Sequence, residues 1–507
     1  MSIHSQTPAT APPSGKGPVS QDQRFFGHPR GLATLFFTEM WERFSYYGMR
    51  ALLILFMVAS VEKGGLGFDV AKSGAIYGLY TAMVYLANLP GGWIADRIVG
   101  QRRAVLYGGI VIAMGHFSMA IAGLATFYLG LALIVVGTGL LKPNISTMVG
   151  QLYGENDHRR DAGFSIFYMG INIGAFLSPL ACGYVGETIN WHWGFGLAGI
   201  GMTLGLIQYA LGGKYLGSVG LHPVPAESPA DAAAQKRWLA IGTVATAAAL
   251  GALALLSVSG AVNITAEVIA NLVGLLLIVL SVGVFVWLLS AGDWTPIEKK
   301  RFVVIGVLFL ASALFWSAFE QAGSTLNLFA ERSTDKHLLG YAYPASWFQS
   351  VNSLFIIALA PVFAWLWVWL GPKEPSSPAK FSWGLIFVGL GFVVMVVASR
   401  RAQSGVQVSS LWLWLVYLLH TIGELCLSPV GLSAFTKLAP ARVAGLMMGV
   451  WFLSTSIGDY LGGRVASFYE SFSLPALFGT VAAFCIVLGL ALAVLVKPMK
   501  KLMGGIN

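Results

Sequence analysis

One apolar stretch near the start of the chain carries Glu39, Glu42, Arg43, Tyr46, Tyr47 and Arg50. Their spacing of three and four residues puts all six on one stripe of a helix. Taking an ionisable group into a bilayer costs at least about 2.5–3.5 kcal/mol on insertion scales, so each one needs a reason. A simple i,i+4 neutralisation of Glu39 by Arg43 accounts for two of the six groups; a lined cavity accounts for all of them. Further charges interrupt other apolar runs. Lys142 precedes Pro143, Glu424 stands one turn before Ser428-Pro429, and Glu320 lies in the segment Phe315-Trp316-Ser-Ala-Phe-Glu320-Gln321. The basic groups Arg43, Arg50 and Lys142 fall in the first half of the chain, and the acidic Glu320 and Glu424 in the second. A zwitterion held between the halves would meet cations at one end and a carboxylate at the other. Arginine grips a planar carboxylate bidentately, whereas lysine and glutamate can change protonation on burial. Lys142 and Glu424 could instead pair across the halves as a structural tie. A tie that a substrate or a proton breaks is a gate.

Helices that cross a membrane must position these groups. Of 507 residues, 56% are hydrophobic and only 10% charged, and the mean hydropathy is +0.72. Soluble domains average about 25% charged residues, which excludes a soluble enzyme and a disordered chain. Cys182, Cys426 and Cys485 all sit in apolar runs, which excludes a disulfide scaffold. About 20 apolar residues span a bilayer, and by that measure the chain has fourteen spans: 31–60, 73–95, 104–123, 127–150, 162–185, 193–217, 237–259, 264–290, 301–325, 343–370, 381–399, 409–436, 443–469 and 475–496. Continuous runs of this length are helices, not barrel strands, which alternate over about ten residues. The fold class is therefore an all-α polytopic membrane protein.

Basic residues in the loops set the orientation. With the N-terminus inside, 21 lysines and arginines fall on the inner side, six on the outer side and four within spans. Both termini are then expected in the cytoplasm. The +9 net charge is this bias and does not point to nucleic acid.

The pattern Gly-x4-(Lys/Ser)-Pro followed by Arg-x-Ala-Gly occurs at Gly137–Gly163 and again at Gly423–Gly445, its prolines 286 residues apart. Two related halves of six spans follow. Four segments are expected: a disordered cytoplasmic tail (1–25), a first six-helix bundle (26–217), a linker with an inserted hairpin (218–300) and a second bundle with a short tail (301–507). The hairpin reads as scaffold, and Asp459 with Arg464 as a structural pair.

Gly91-Gly-Trp-Ile-Ala-Asp96-Arg97-Ile-Val-Gly100-Gln-Arg-Arg103 resembles the loop motif of the major facilitator superfamily, in which Asp96 would pair with a neighbouring arginine. Glu39-x-x-Glu42-Arg43-Phe-x-Tyr46-Tyr47-Gly48, Phe164–Gly174, Trp347–Asn352 and Gly423–Pro429 resemble the proton-dependent oligopeptide transporter family, most of all its bacterial di- and tripeptide symporters. The resemblance implies two six-helix bundles plus the hairpin, and import of di- and tripeptides with protons by alternating access. It implies no cofactor beyond the proton gradient, and a protein of the cell (inner or plasma) membrane that works as a monomer. It assigns Arg43 and Lys142, with Tyr47 beside them, to the peptide carboxylate. Glu424, Asn172 and Asn352 take the amino terminus, and Tyr46, Tyr80, Trp316, Trp451 and Ser428 the side chains. Glu39, Glu42, Arg43, Glu320 and Glu424 carry or relay protons; Arg50, Lys142, Glu320 and Glu424 gate. The span 73–95 lacks the histidine common in the family, so coupling rests on carboxylates, with His116 and His420 as packing residues. A symporter for nitrate or another small anion is the alternative, but an anion needs no carboxylate opposite. No Gly-x4-Gly-Lys-(Ser/Thr) loop, HExxH or Gly-x-Ser-x-Gly set supports an ATP-driven pump or a membrane enzyme.

Overall fold

A computed structural model describes residues 22–154, 157–226, 228–258, 265–290, 293–338, 340–440 and 443–505. Its backbone is almost entirely helical. The first half holds α1 (Arg30–Val58), α2 (Val70–Leu86), α3 (Asn88–Ile94), α4 (Gln101–Met119), α5 (Leu124–Gln151), α6 (Arg160–Thr188) and α7 (Trp191–Gly212). Next come α8 (Pro229–Val258) and α9 (Ala266–Ser290). The second half holds α10 (Pro296–Phe319), α11 (Thr325–Ser333), α12 (Gln349–Leu370), α13 (Ser377–Ala402), α14 (Leu411–Leu438), α15 (Ala444–Ala466) and α16 (Leu474–Met503). α2 and α3 run on as one rod, and α11 extends α10 through a 3-10 turn, so the sixteen helices make fourteen passes. Among the described residues, nine helical stretches are long and apolar enough to cross a membrane by length and composition alone.

The passes form two six-helix bundles and an inserted hairpin. Within the bundles α1 packs on α6 and α7, α4 on α5, α13 on α14 and α16, and α10 on α15. The halves meet along α2 with α15 and along α6 with α12. Glycine permits the closest crossings: a Cβ at Gly91 would stand 1.9 Å from the carbonyl oxygen of Gly139, fixing α3 against α5. Leu211, Val368 and Val494 are among the exposed apolar side chains, as a lipid-facing surface requires.

An even number of passes returns the chain to the face it left. That face is called proximal here, and the one where α1 ends is called distal.

Four details depart from the sequence reading. Residues 1–21 of the expected tail, and Arg442 of the repeat, lie outside the described residues, but residues 22–25 are structured: Asp22 accepts from Arg30 Nε at 2.8 Å, and Phe25 bridges His28. Asp96 takes no arginine; its Oδ1 accepts from Gln101 Nε2 at 2.9 Å, because the π-turn Ala95–Val99 brings the next helix start within reach. Arg464 does not pair with Asp459, five residues and more than one turn away on the same helix. It points instead to Glu267 of the hairpin, at 3.8 Å. Lys142 and Glu424 form no ion pair either.

Candidate functional site

The two bundles enclose a cavity of about 220 Å³ between them. The first half lines it with Glu39, Arg43, Tyr47 and Arg50 of α1, Tyr85 of α2, Lys142 of α5 and Tyr168 and Asn172 of α6. The second half contributes Trp316, Glu320, Asn352, His420, Glu424, Ser428, Trp451 and Thr455. Pro143 and Pro429 lie inside α5 and α14, next to Lys142 and Ser428. Each proline removes a backbone donor at the level of the cavity, which lets the helix bend around it.

The α1 stripe is buried, yet its charges are matched. Arg43 is 1% exposed; its Nε bonds Glu42 Oε2 and its Nη2 donates to Glu42 Oε1 at 2.6 Å. Glu39 lies further off, with Oε1 at 3.5 Å from Arg43 Nε and Oε2 without a partner. The guanidinium carbon also sits 4.8 Å from the Tyr46 ring centroid and 5.8 Å from that of Tyr47, so aromatic faces add to its stabilisation. A neutralised arginine at a cavity wall, with one adjacent carboxylate oxygen unused, is arranged to exchange partners. The Lys142 ammonium has no carboxylate partner and rests 4.6 Å from the Tyr85 ring centroid.

Across the cavity, Asn352 Nδ2 donates to Glu424 Oε2 at 2.9 Å and to Thr421 Oγ1 at 3.0 Å, which orients the carboxylate of α14 from α12. Asn172 lines the cavity from α6, and its Nδ2 donates to the Tyr168 carbonyl of its own helix at 2.9 Å.

On the distal side, Arg50 Nη2 meets Glu320 Oε2 at 2.6 Å and Arg50 Nε donates to Tyr77 at 2.7 Å, joining α1, α2 and the turn after α10. Arg50 and Glu320 are 5% and 6% exposed, so each would be an uncompensated buried charge without the other. Glu187, at the distal end of α6, accepts from the backbone N–H of Ala345 and of Ser346, both at 2.9 Å. Those are orphan donors of the 3-10 turn that leads into α12, and the carboxylate caps them from the opposite half.

Most expected site residues therefore come together: Arg43, Tyr47, Lys142, Asn172, Trp316, Asn352, Glu424, Ser428, Trp451, Glu39, Arg50 and Glu320 all line one cavity. Tyr46, Tyr80 and Glu42 lie outside its lining; Tyr46 packs beneath Arg43, Glu42 holds the guanidinium from behind, and the Tyr80 hydroxyl has no partner. His420, expected as packing, reaches the wall, whereas His116 is fully buried away from it. Tyr85, Tyr168, Thr455 and Glu187 were not legible as site residues. The first three are single polar groups in apolar helices, and Glu187 sits at a span end, where an acid looks like any loop charge.

Two bundles around a charge-divided midplane cavity define a secondary transporter of the major facilitator build. Residues 102–481 match the POT family. The chain is 43% identical over 494 residues to peptide transporter YePEPT of Yersinia enterocolitica, covering 94% of this chain and 96% of that one. It is 37% identical over 494 residues to the di-/tripeptide transporter of Lactococcus lactis, covering 96% and 99%. The crystal structure of peptide transporter POT with sulfate is similar at a TM-score of 0.90 and 46% identity, covering 96% and 98%. A POT family transporter crystallised with 5-aminolevulinic acid gives 0.89 and 38%, covering 94% and 98%. The chain belongs to the POT family and is a multi-pass membrane protein.

Proposed function

We propose that the protein is a proton-coupled symporter that imports di- and tripeptides by alternating access. The observation that carries this reading is the division of one cavity into a cationic wall, Arg43 and Lys142, and an anionic one, Glu424 held by Asn352. A peptide zwitterion fits that division with its carboxylate towards Arg43, Lys142 and Tyr47 and its amine towards Glu424, Asn352 and Asn172. Trp316, Trp451 and Ser428 then face the side chains, with Tyr46 and Tyr80 behind the wall. The substrates named for the Yersinia and Lactococcus relatives support it.

Protons travel on Glu39, Glu42, Glu320 and Glu424, with Arg43 switching among carboxylates. Arg50 with Glu320 gates the distal side, and Lys142 with Glu424 gates the proximal side in another conformation. The proximal face is the cytoplasmic one by its lysines and arginines, so both termini are cytoplasmic. Residues 26–217 and 301–507 move as the two bodies, residues 218–300 form the linker and hairpin, and a monomer suffices. A nitrate or small-anion symporter would leave Glu424 without a purpose.

Each co-transported charge contributes about 2.3 kcal/mol per 100 mV, and each unit of pH gradient about 1.4 kcal/mol. The test is uptake of labelled dialanine into liposomes holding the purified protein. Accumulation under an imposed inward proton gradient, absent without it, is expected. Dialanine uptake indifferent to the gradient removes the coupling, and absent uptake with gradient-driven nitrate entry favours the anion reading.

A further inference from the structure

One buried ionisable group serves neither the cavity nor the distal gate. Asp459 of α15 is 1% exposed, and neither carboxylate oxygen has a hydrogen-bond partner. One turn towards the proximal side, Thr455 lines the cavity. One turn towards the distal side, Gly463 lies against α2 so closely that a Cβ there would stand 2.3 Å from the Gly78 Cα. Asp459 therefore sits in the seam where the two halves touch.

Its surroundings hold charge, but none is available to it. Arg50 of α1 and Glu320 of the turn after α10 are bonded to each other. Tyr77 and Tyr85 of α2 lie within electrostatic reach of it, and Tyr77 already accepts from Arg50. Lys142 of α5 stands over the Tyr85 ring. On its own helix Arg464 is turned to Glu267 of α9. No cation among the described residues lies within ion-pair distance of Asp459. An ionised carboxylate taken out of water without a partner costs so much that the group neutralises instead.

We propose that Asp459 is a proton-binding site in the seam between α2 and α15, filled when the distal side shuts and emptied when it opens. Closure adds one proton to the carboxylate from the medium on the distal side, and opening returns that proton to the same medium. The orientation given under Proposed function makes this medium the external one. The site is distinct from the coupling carboxylates because its proton enters and leaves on one side. It links the closed-to-open ratio to external pH by up to tenfold per pH unit, the slope of one bound proton.

The experiment uses the full-length protein in lipid nanodiscs, with spin labels at the distal ends of α2 and α15, between about pH 5 and 8. The closed fraction of the wild type should rise as pH falls. Asp459→Asn, neutral at every pH, should stay closed and lose up to tenfold per unit of that response, while Asp459→Glu restores it. Infrared spectra of the closed protein should contain a protonated-carboxyl band that Asp459→Asn removes. An unchanged pH response in Asp459→Asn, or an unchanged carboxyl band, overturns the proposal. Dialanine counterflow is measured alongside. Exchange by Asp459→Asn shows that it folds; absence of exchange in the wild type counts against the peptide reading alone, because distances and infrared band do not depend on substrate.

Discussion

The two faces of the molecule are sealed by different chemistry. On the distal face, polar bonds cross from one half to the other: Arg50 to Glu320, Glu187 to Ala345 and Ser346, Asn327 Nδ2 to the Ala51 carbonyl at 2.8 Å, and Ser467 Oγ to the Ala71 carbonyl at 3.0 Å. On the proximal face, the named polar bonds stay inside one half. His28 meets Tyr153 at 2.8 Å, Arg102 Nη2 donates to the Gly217 carbonyl at 2.8 Å, and Arg301 Nε donates to the Met503 carbonyl at 3.1 Å. There the halves approach through apolar groups, with Leu89 of α3 against Gly449 of α15. Directional bonds resist separation over a short range, whereas an apolar contact can slide. The structure therefore holds its halves together with directional bonds on the distal face and with apolar contact on the proximal one.

Removing the strongest distal lock should have the largest effect. Arg50→Ala leaves Glu320 buried and unpaired, and breaking such pairs costs about 3–5 kcal/mol. The distal ends of α1 and α11 should then separate in most molecules, read as a long-distance population between spin labels. If the distal distances stay put, the polar bonds are ornaments of a seam held by glycine packing, and the contrast between the faces fails.

Glu187→Gln should act in the same direction with a smaller amplitude. The amide still offers one acceptor to the Ala345 and Ser346 N–H groups, so the loss is about 1–3 kcal/mol for the uncovered donor. The distal-open population should grow about tenfold. Hydrogen exchange at Ala345 and Ser346 should quicken by the same factor. Protection equal to the wild type would show that the cap contributes nothing across the seam.

These two locks also show what the sequence could reveal. Arg50 and Glu320 were each legible as a group in need of a partner, because a charge in an apolar run demands one; that they belong together was an expectation of the family resemblance, and the structure pairs them. The fourteen passes were legible for the same reason, since a bilayer imposes length and apolarity on every one of them. Glu187 was not, because its partners are backbone N–H groups, which no residue type announces. Nor was the bidentate grip of Glu42 on its neighbour Arg43: helical spacing favours Glu39 at i,i+4, and only the side-chain geometry shows that the adjacent carboxylate wins. The Lys142–Glu424 tie is the converse case. Equivalent heights in two halves suggested a contact that this conformation leaves open.

That opening sets the next prediction. If the proximal face rests on apolar contact alone, Lys142→Gln should leave the distance between the proximal ends of α5 and α14 unchanged in the distal-closed protein. Dialanine uptake should nevertheless fall at least tenfold, because one cation of the carboxylate site is gone. A proximal widening in this variant would mean that Lys142 ties the halves here after all, and the two faces would be alike.

The smallest effect concerns the clip that holds the N-terminal segment on the proximal face. His28 Nδ1 bonds the Tyr153 hydroxyl at 2.8 Å, and the neighbouring Arg159 Nη1 donates to the Gly27 carbonyl at 3.1 Å. Burial, aided by the Arg159 charge, lowers the proton affinity of His28 below the ordinary histidine value. The released segment therefore binds a proton more readily than the docked one, and docking strengthens as pH rises. The clip should be intact above about pH 6.5, the ordinary histidine value, and should weaken as pH falls through it. A single neutral hydrogen bond contributes about 0.5–1.5 kcal/mol, so amide protection around residues 25–30 should drop only a few-fold on acidification. Tyr153→Phe should show the lowered protection already at neutral pH, while the distal distances stay as in the wild type. Acid-driven opening of the distal face in step with this release would mean that the proximal bonds are coupled to the seam, and that the two faces are not independently sealed.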